Sequence, residues 1–211
     1  MRGPELLDAR REISVKSGSF FEHMAIHPYP AHLESVWDLP DGRAVTIRPI
    51  RPEDAEIEQE FVRELSLESR YFRFMDTLRE LTPAMLARFT QIDYSREMAF
   101  IAVLRESGRE EAGSPGAERE IGVCRYVTNP DGESCEFALV IADGWQRRGL
   151  GRRLMGALIE VARGRGLKWM IGHVLAQNAP MLALVEQLGF ESDPSGDDPG
   201  TRRVTLALPR R

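Results

Sequence analysis

Cysteine is scarce in this chain: Cys124 and Cys135 are the only two in 211 residues. Two thiols build neither a disulfide framework nor a four-ligand zinc site, so a reducing cytoplasm is the expected compartment and no metal is expected. Long apolar runs are missing too. The longest, Met98 to Leu104 and Phe137 to Ala142, fall far short of the ~20 residues that span a bilayer, so no membrane association is expected. Residues 1–12 are charged and hold no apolar segment, so no secretory leader is expected there. Two familiar phosphate loops are also absent. There is no G-x-x-x-x-G-K-[ST], and the third glycine of G-x-G-x-x-G is replaced by Leu154. Nor is there a long basic stripe interleaved with aromatics, which argues against a nucleic-acid partner.

An apolar fraction of 42% over this length is enough for one domain with a sizeable core and short for two. The net charge of −5 is divided unevenly. Residues 1–141 carry 17 basic and 26 acidic side chains, and residues 142–211 carry 11 basic and 7 acidic. A basic C-terminal part suits an anionic ligand.

Along the chain, His27-Pro28-Tyr29-Pro30 resists helix, and residues 1–40 read as an arm, its first twenty residues loosely ordered. Asp41-Gly42 turns into a strand from Val45 to Pro49. A helix is expected from Asp54, with Ile57, Phe61 and Leu65 on its core face, and another from Thr82-Pro83. Strands are expected at 97–105, 120–127 and 134–141, with a charged hairpin tip at 106–118. A helix through Leu150, Leu154, Leu158 and Val161 ends at Gly164-Arg165-Gly166. A strand over 168–174, a helix over 178–188 and two last strands around Phe190 and Val204 follow. The order β-α-α-β-β-β-α-β-α-β-β indicates a mixed α/β sheet of about seven strands and four helices.

One turn carries ligand chemistry. The strand ending at Ile141 runs through Ala142-Asp143-Gly144-Trp145 into Gln146-Arg147-Arg148-Gly149-Leu150-Gly151, which opens a helix. A helix N-terminus offers unpaired N–H groups and partial positive charge, so it suits a phosphate. Gly149 and Gly151 remove Cβ atoms from the approach, and Arg147, Arg148, Arg152 and Arg153 add charge. Spacing alone leaves an ordinary glycine-containing turn with solvated arginines equally open.

The strand, the Q-x-x-G-x-G turn, the helix, the next strand and the Asn178…Leu188-Gly189-Phe190 ending together resemble the GNAT superfamily of N-acetyltransferases, over residues 43–208. The segments 27–34, Arg48-Pro49-Ile50-Arg51-Pro52-Glu53-Asp54 and Leu65 to Phe74 are similar to the catalytic module of bacterial, Pat-like protein lysine acetyltransferases. In that family the module often follows an acyl-CoA-synthetase-like domain, which these residues do not contain. The resemblance implies a GNAT fold over residues 41–211: a mostly antiparallel mixed sheet (an α+β arrangement), splayed at the cofactor strand. It also implies acetyl-CoA as cosubstrate. Leu139, Val140 and Ile141 would offer backbone groups to the pantetheine amides. Gln146, Arg147, Arg148, Gly149, Leu150, Gly151 and Arg152 would hold the pyrophosphate, and Asn178, an N-cap, would lie near the pantetheine arm. The implied partner is a protein presenting a lysine, AMP-forming acyl-CoA synthetases being the family's known targets. Monomer and homodimer are both open.

Transfer needs a neutral amine. At a lysine pKa of ~10.4, about 0.1% is neutral at pH 7.4, a handicap of roughly 4 kcal/mol. Glu136 stands where the resembling family places a catalytic glutamate, and is expected to act as general base, directly or through a water. Glu133 is the fallback. Many GNAT enzymes carry a tyrosine acid four residues before the glycine of the L-G-F ending; here Val185 is there. His173 is expected to be a hydrogen-bonded structural residue. His23, His27 and His32 have no register for metal binding, and Cys135 reads as a small buried thiol. Tyr71, Phe72, Phe74 and Met75 suit either an acceptor-site wall or the core. Two alternatives stand beside the protein acetyltransferase: a small-molecule amine acetyltransferase, and a non-catalytic acyl-CoA sensor.

Overall fold

The computed structural model describes residues 28–105, 118–193 and 200–209. The expectations for the first twenty residues, for His23 and His27 and for the 106–117 tip lie outside the described residues, as do residues 194–199 between the last two strands.

Among the described residues, eight strands form one sheet in the order β1-β2-β3-β4-β5-β6-β8-β7. They are β1 (Ser35–Asp38), β2 (Ala44–Pro49), β3 (Glu97–Arg105), β4 (Glu118–Thr128), β5 (Ser134–Ile141), β6 (Trp169–Leu175), β7 (Glu191–Asp193) and β8 (Thr201–Ala207). Every neighbouring pair is antiparallel except β5 with β6. The described residues form five α-helices: α1 (Ala55–Glu64), α2 (Leu67–Phe74), α3 (Pro83–Thr90), α4 (Leu150–Gly164) and α5 (Ala179–Gln187). The expected mixed, mostly antiparallel sheet is present, with one strand and one helix more than the pattern gave.

The additional strand is β1, which joins the sheet edge through Val36↔Thr46 and Trp37↔Val45. The additional helix is α2, which follows the helix expected from Asp54 after a break at Leu65 and Ser66. Leu65 is extended (φ −61°, ψ 143°), and the hydroxyl of Ser66 accepts the Ser69 N–H at 3.1 Å, capping α2. Leu65 stays buried with Phe61, so their apolar spacing runs up to the break. Met75, in the left-handed region at φ 54°, ends α2.

Two apolar layers flank the sheet. Leu150, Leu154, Met155, Leu158 and Ile159 recur at helical spacing and press α4 on one face. Phe61, Val62, Leu65 and Leu81 pack on the other face against Ile101, Val123 and Val140. Arg48 and Asp54, part of the segment resembling Pat-like modules, serve the scaffold. Arg48 donates to both oxygens of Asp54 at 2.7 and 2.8 Å and to Glu118 at 2.7 Å, with Arg48 and Asp54 buried.

Candidate active site: a cleft where two strands part

β5 and β6 pair in parallel only at Ser134↔Trp169, Cys135↔Met170 and Glu136↔Ile171. Beyond Glu136 the strands separate, while β5 stays paired with β4 as far as Ile141. Backbone groups of 137–141 that face β6 therefore have no strand partner, and buried backbone polar groups demand one. A cavity of about 350 Å³ opens at this split. Its floor is Glu136 to Leu139 of β5. Phe72, Arg73, Phe74 and Met75 from the end of α2 form one wall, and His173, Val174, Asn178 and Met181 the other.

Glu136 is exposed at the last paired position and faces this cavity. Leu139 lines it, and Val140 and Ile141 continue β5 away from it toward the turn. Asn178 caps α5, its Oδ1 accepting the Met181 N–H at 3.1 Å, and also lines the cavity. Glu133 lies outside it, at the turn into β5, its carboxylate held by Lys168 Nζ at 2.5 Å. The Cys135 thiol is buried, and burial first, then Asp131, pushes it up to about 12, so it offers no thiolate near neutral pH. Val185 is 2% exposed in the core and has no access to a reacting group.

His173 corrects its expectation. Its side chain is exposed on the cavity wall and makes no hydrogen bond among the described residues. The residues at the end of α2 divide: Phe72, Phe74 and Met75 line the cavity, while Tyr71 does not and is exposed. His32 is exposed in a short 3-10 turn.

The turn into α4 follows β5 directly. Arg147 (φ 60°) and Gly149 (φ 86°) both occupy the left-handed region, which costs a non-glycine residue about 1 kcal/mol or more. No side chain caps α4, so the first-turn N–H groups of Leu150, Gly151 and Arg152 have no intrahelical acceptor. The four arginines spread around it. Arg147 is exposed, Arg148 stacks over Trp145 at 5.3 Å, Arg153 stacks over Trp37 at 4.6 Å, and Arg152 reaches Gln187 Oε1 at 3.4 Å.

Two residues of the turn have a different local part from the expected one. The Gln146 amide donates to the Ile141 carbonyl at 3.2 Å and to Ser69 Oγ at 3.1 Å, fastening the turn to β5 and α2. A Cβ on Gly151 would lie 3.1 Å from Leu184 and 3.5 Å from Leu139, so glycine there lets α4 approach α5 and β5. Asp143 completes the fastening, accepting from the Ser66 N–H at 2.9 Å and from the Ser66 and Ser69 hydroxyls at 2.7 and 2.8 Å.

Sequence reasoning missed Arg73, which lines the cleft from α2. It also missed a buried group beneath it: Glu58 of α1 with Glu120 and Arg125 of β4. Nothing in the period of β4 signals Glu120, because the β3–β4 register slips between Ala102↔Gly122 and Val103↔Glu120. The skipped residue, Ile121, packs in the α4 layer, which leaves Glu120 to turn toward α1.

The sequence matches the model of the Acetyltransferase (GNAT) family over residues 66–190. An acetyltransferase of Pseudomonas aeruginosa is 40% identical over 163 residues, covering 77% of this chain and 83% of the relative. Acetyltransferase Pat of Mycolicibacterium smegmatis is 32% identical over 149 residues, 70% of this chain but 41% of that protein's length. Among solved structures, the GNAT domain of S. lividans PAT has a TM-score of 0.72 and 28% identity, covering 86% of this chain and 100% of that one.

Proposed function

The chain belongs to the GNAT acetyltransferase family and is an acyltransferase, and from that premise we propose that it moves the acetyl group of acetyl-CoA to a lysine side chain of a protein, by direct transfer in a ternary complex. The observation that carries this reading is the cleft at the β5–β6 split, with Glu136 at its head and the uncapped α4 turn beyond. The protein-lysine acceptor rests on the likeness to Pat and to the GNAT domain of S. lividans PAT.

In this reading the pantetheine lies along Leu139, Val140 and Ile141 beside Asn178, and its amides take the backbone groups of β5 left unpaired there, the Ile141 carbonyl being held by Gln146. The pyrophosphate sits at Gln146 to Arg152, where the open N–H groups of α4 and the flanking arginines meet its charge. Gln146 contributes its backbone, since its side chain is engaged elsewhere. Glu136 accepts a proton from the incoming amine, directly or through a water. The amine nitrogen attacks the thioester carbonyl carbon, the carbon–sulfur bond breaks, and the thiolate takes a proton from water, the core position of Val185 leaving no side-chain acid there. We place the catalytic domain at residues 41–211, with β1 of the preceding arm extending its sheet, and the protein in the cytoplasm, which suits two buried free thiols.

Calorimetry with acetyl-CoA, alongside thiol release with a lysine-bearing AMP-forming acyl-CoA synthetase, tests the reading. Glu136→Gln is expected to keep acetyl-CoA affinity within a few-fold and to lose at least about tenfold in rate. Unchanged turnover would remove Glu136 from the chemistry. Robust turnover of free small amines and none of the protein would favour a small-molecule acceptor. Binding with no turnover of any amine would favour a sensor.

A further inference from the structure

Arg73 lines the cleft from the last turn of α2, partly buried, and its side chain donates no hydrogen bond to any described residue. What holds it is stacking: its guanidinium lies 5.0 Å from the Phe74 ring centre and 5.8 Å from that of Phe89. Phe89 is shared with Arg125, whose guanidinium is 4.4 Å from the same ring and donates to the Phe89 carbonyl at 3.0 Å. Two arginines therefore share one aromatic ring, and only Arg125 has an oxygen acceptor. Burial, then repulsion from Arg125, brings Arg73 down to about 10, with Glu58 pulling the other way. It remains charged at neutral pH.

Facing it across the same cleft is the opposite charge. Glu136 stands on the floor of the same cavity, and no ion pair joins the two side chains. An ammonium and a carboxylate, held close together on one ligand, complement this pair of groups. A planar guanidinium with unused N–H donors takes a carboxylate by two parallel hydrogen bonds.

We propose that Arg73 determines acceptor specificity, selecting an amine with a carboxylate close by: a lysine flanked by an aspartate or glutamate. The proposal rests on the acceptor site lying in this cleft, and it adds the chemistry beside the amine. Arg73 binds and orients the acceptor; it takes no part in the proton transfer assigned to Glu136. The same chemistry occurs in the α-carboxylate of a free amino acid, so the test has two arms.

Steady-state rates would be measured on capped peptides of matched sequence with Asp or Asn, and Glu or Gln, next to the lysine, and on free lysine against lysine amide. The wild type is expected to prefer the carboxylate member by at least about tenfold in kcat/KM, mainly through KM. Arg73→Gln should bring that ratio close to one, and Arg73→Lys, which keeps charge without the planar fork, should leave an intermediate value. Melting temperature and acetyl-CoA affinity check the fold of both variants; if Arg73→Gln does not fold, the reduced ratio in Arg73→Lys carries the test. A ratio near one in the wild type, a ratio unchanged by substitution of Arg73, or turnover of none of these amines overturns the proposal. A carboxylate preference on free lysine, lost with Arg73 and with no turnover of any peptide, would uphold Arg73 while ending the protein-lysine reading. Equal turnover of Asp and Asn peptides would leave that reading standing and remove Arg73.

Discussion

A methyl group on residue 172 would stand 2.3 Å from Phe137 Cε1 and 2.6 Å from its Cζ, so Gly172 is fixed by the ring beside it. That ring also packs on Phe190 at 5.2 Å, with Phe137 only 7% exposed. Phe137 is the first residue of β5 beyond the last pair with β6, so its position belongs to the cleft floor as much as to the core. Gly172→Ala forces the ring aside. Overpacking of this kind costs about 1–3 kcal/mol, and a displaced floor should raise the KM for acetyl-CoA several-fold. Gly144→Ala, with nothing within 4 Å of its Cβ, is the control and should change neither. Denaturant melts and calorimetry on the two variants check this; a Gly172→Ala protein within about 0.5 kcal/mol of wild type would show that the ring moves freely.

At the scale of elements, α2 is a short helix whose start is tied to the turn before α4 by Asp143 and whose end walls the cleft. Burial alone would raise the Asp143 carboxyl, but the Ser66 N–H and the two serine hydroxyls outweigh it and hold it below its usual value. Such a depressed carboxylate contributes stability above the ordinary aspartate pKa of ~3.9, lost as pH falls through the lower folded value. Asp143→Ala should therefore speed amide exchange across residues 67–74 at neutral pH, leave α1 protected, and raise the acceptor KM. Equal exchange in both proteins would mean that α2 is held by its apolar contacts alone. Little of this coupling is legible in the sequence. The span of β3 and that of β5, the α4 period and the Q-x-x-G-x-G turn can be read because each is a local pattern of neighbours. The α1–α2 break is hidden because Phe61 and Leu65 keep helical spacing up to it. The parting of β5 from β6 was legible only through family likeness, since Phe137 to Ile141 read as an ordinary strand whichever neighbours they have. Arg73 and His173 acquire meaning only once helix and strand face each other across 350 Å³ of cavity.

For the molecule as a whole, the buried carboxyl pair sets how stability responds to pH. Glu58 and Glu120 are 3% and 2% exposed, and they adjoin each other between α1 and β4. As two carboxylates they would leave Glu58 Oε2 and both Glu120 oxygens without a donor. One proton held between them would supply a donor for one of these oxygens. Burial first, then the charge of Glu58 and the bond to it, raises Glu120 well above the usual carboxylate range. Burial raises Glu58 as well, against Arg125, the bond to Glu120 and Arg73, with Asp54 adding to the rise. A raised carboxyl means that the folded protein keeps a proton the unfolded chain has released. Stability is therefore highest at low pH with respect to this pair, and falls as pH rises from the unfolded value of ~4.3 to the raised folded one, by at most about 1.4 kcal/mol per unit for one proton. Glu120→Gln places a permanent N–H donor beside Glu58 and removes the titration. The variant should be close to wild type in urea melts at pH 6 and more stable than it at pH 9, with a flatter dependence between. Curves that fall in parallel for the two proteins would mean that the pair holds no proton and that its charge is balanced by Arg125 and Arg73 alone.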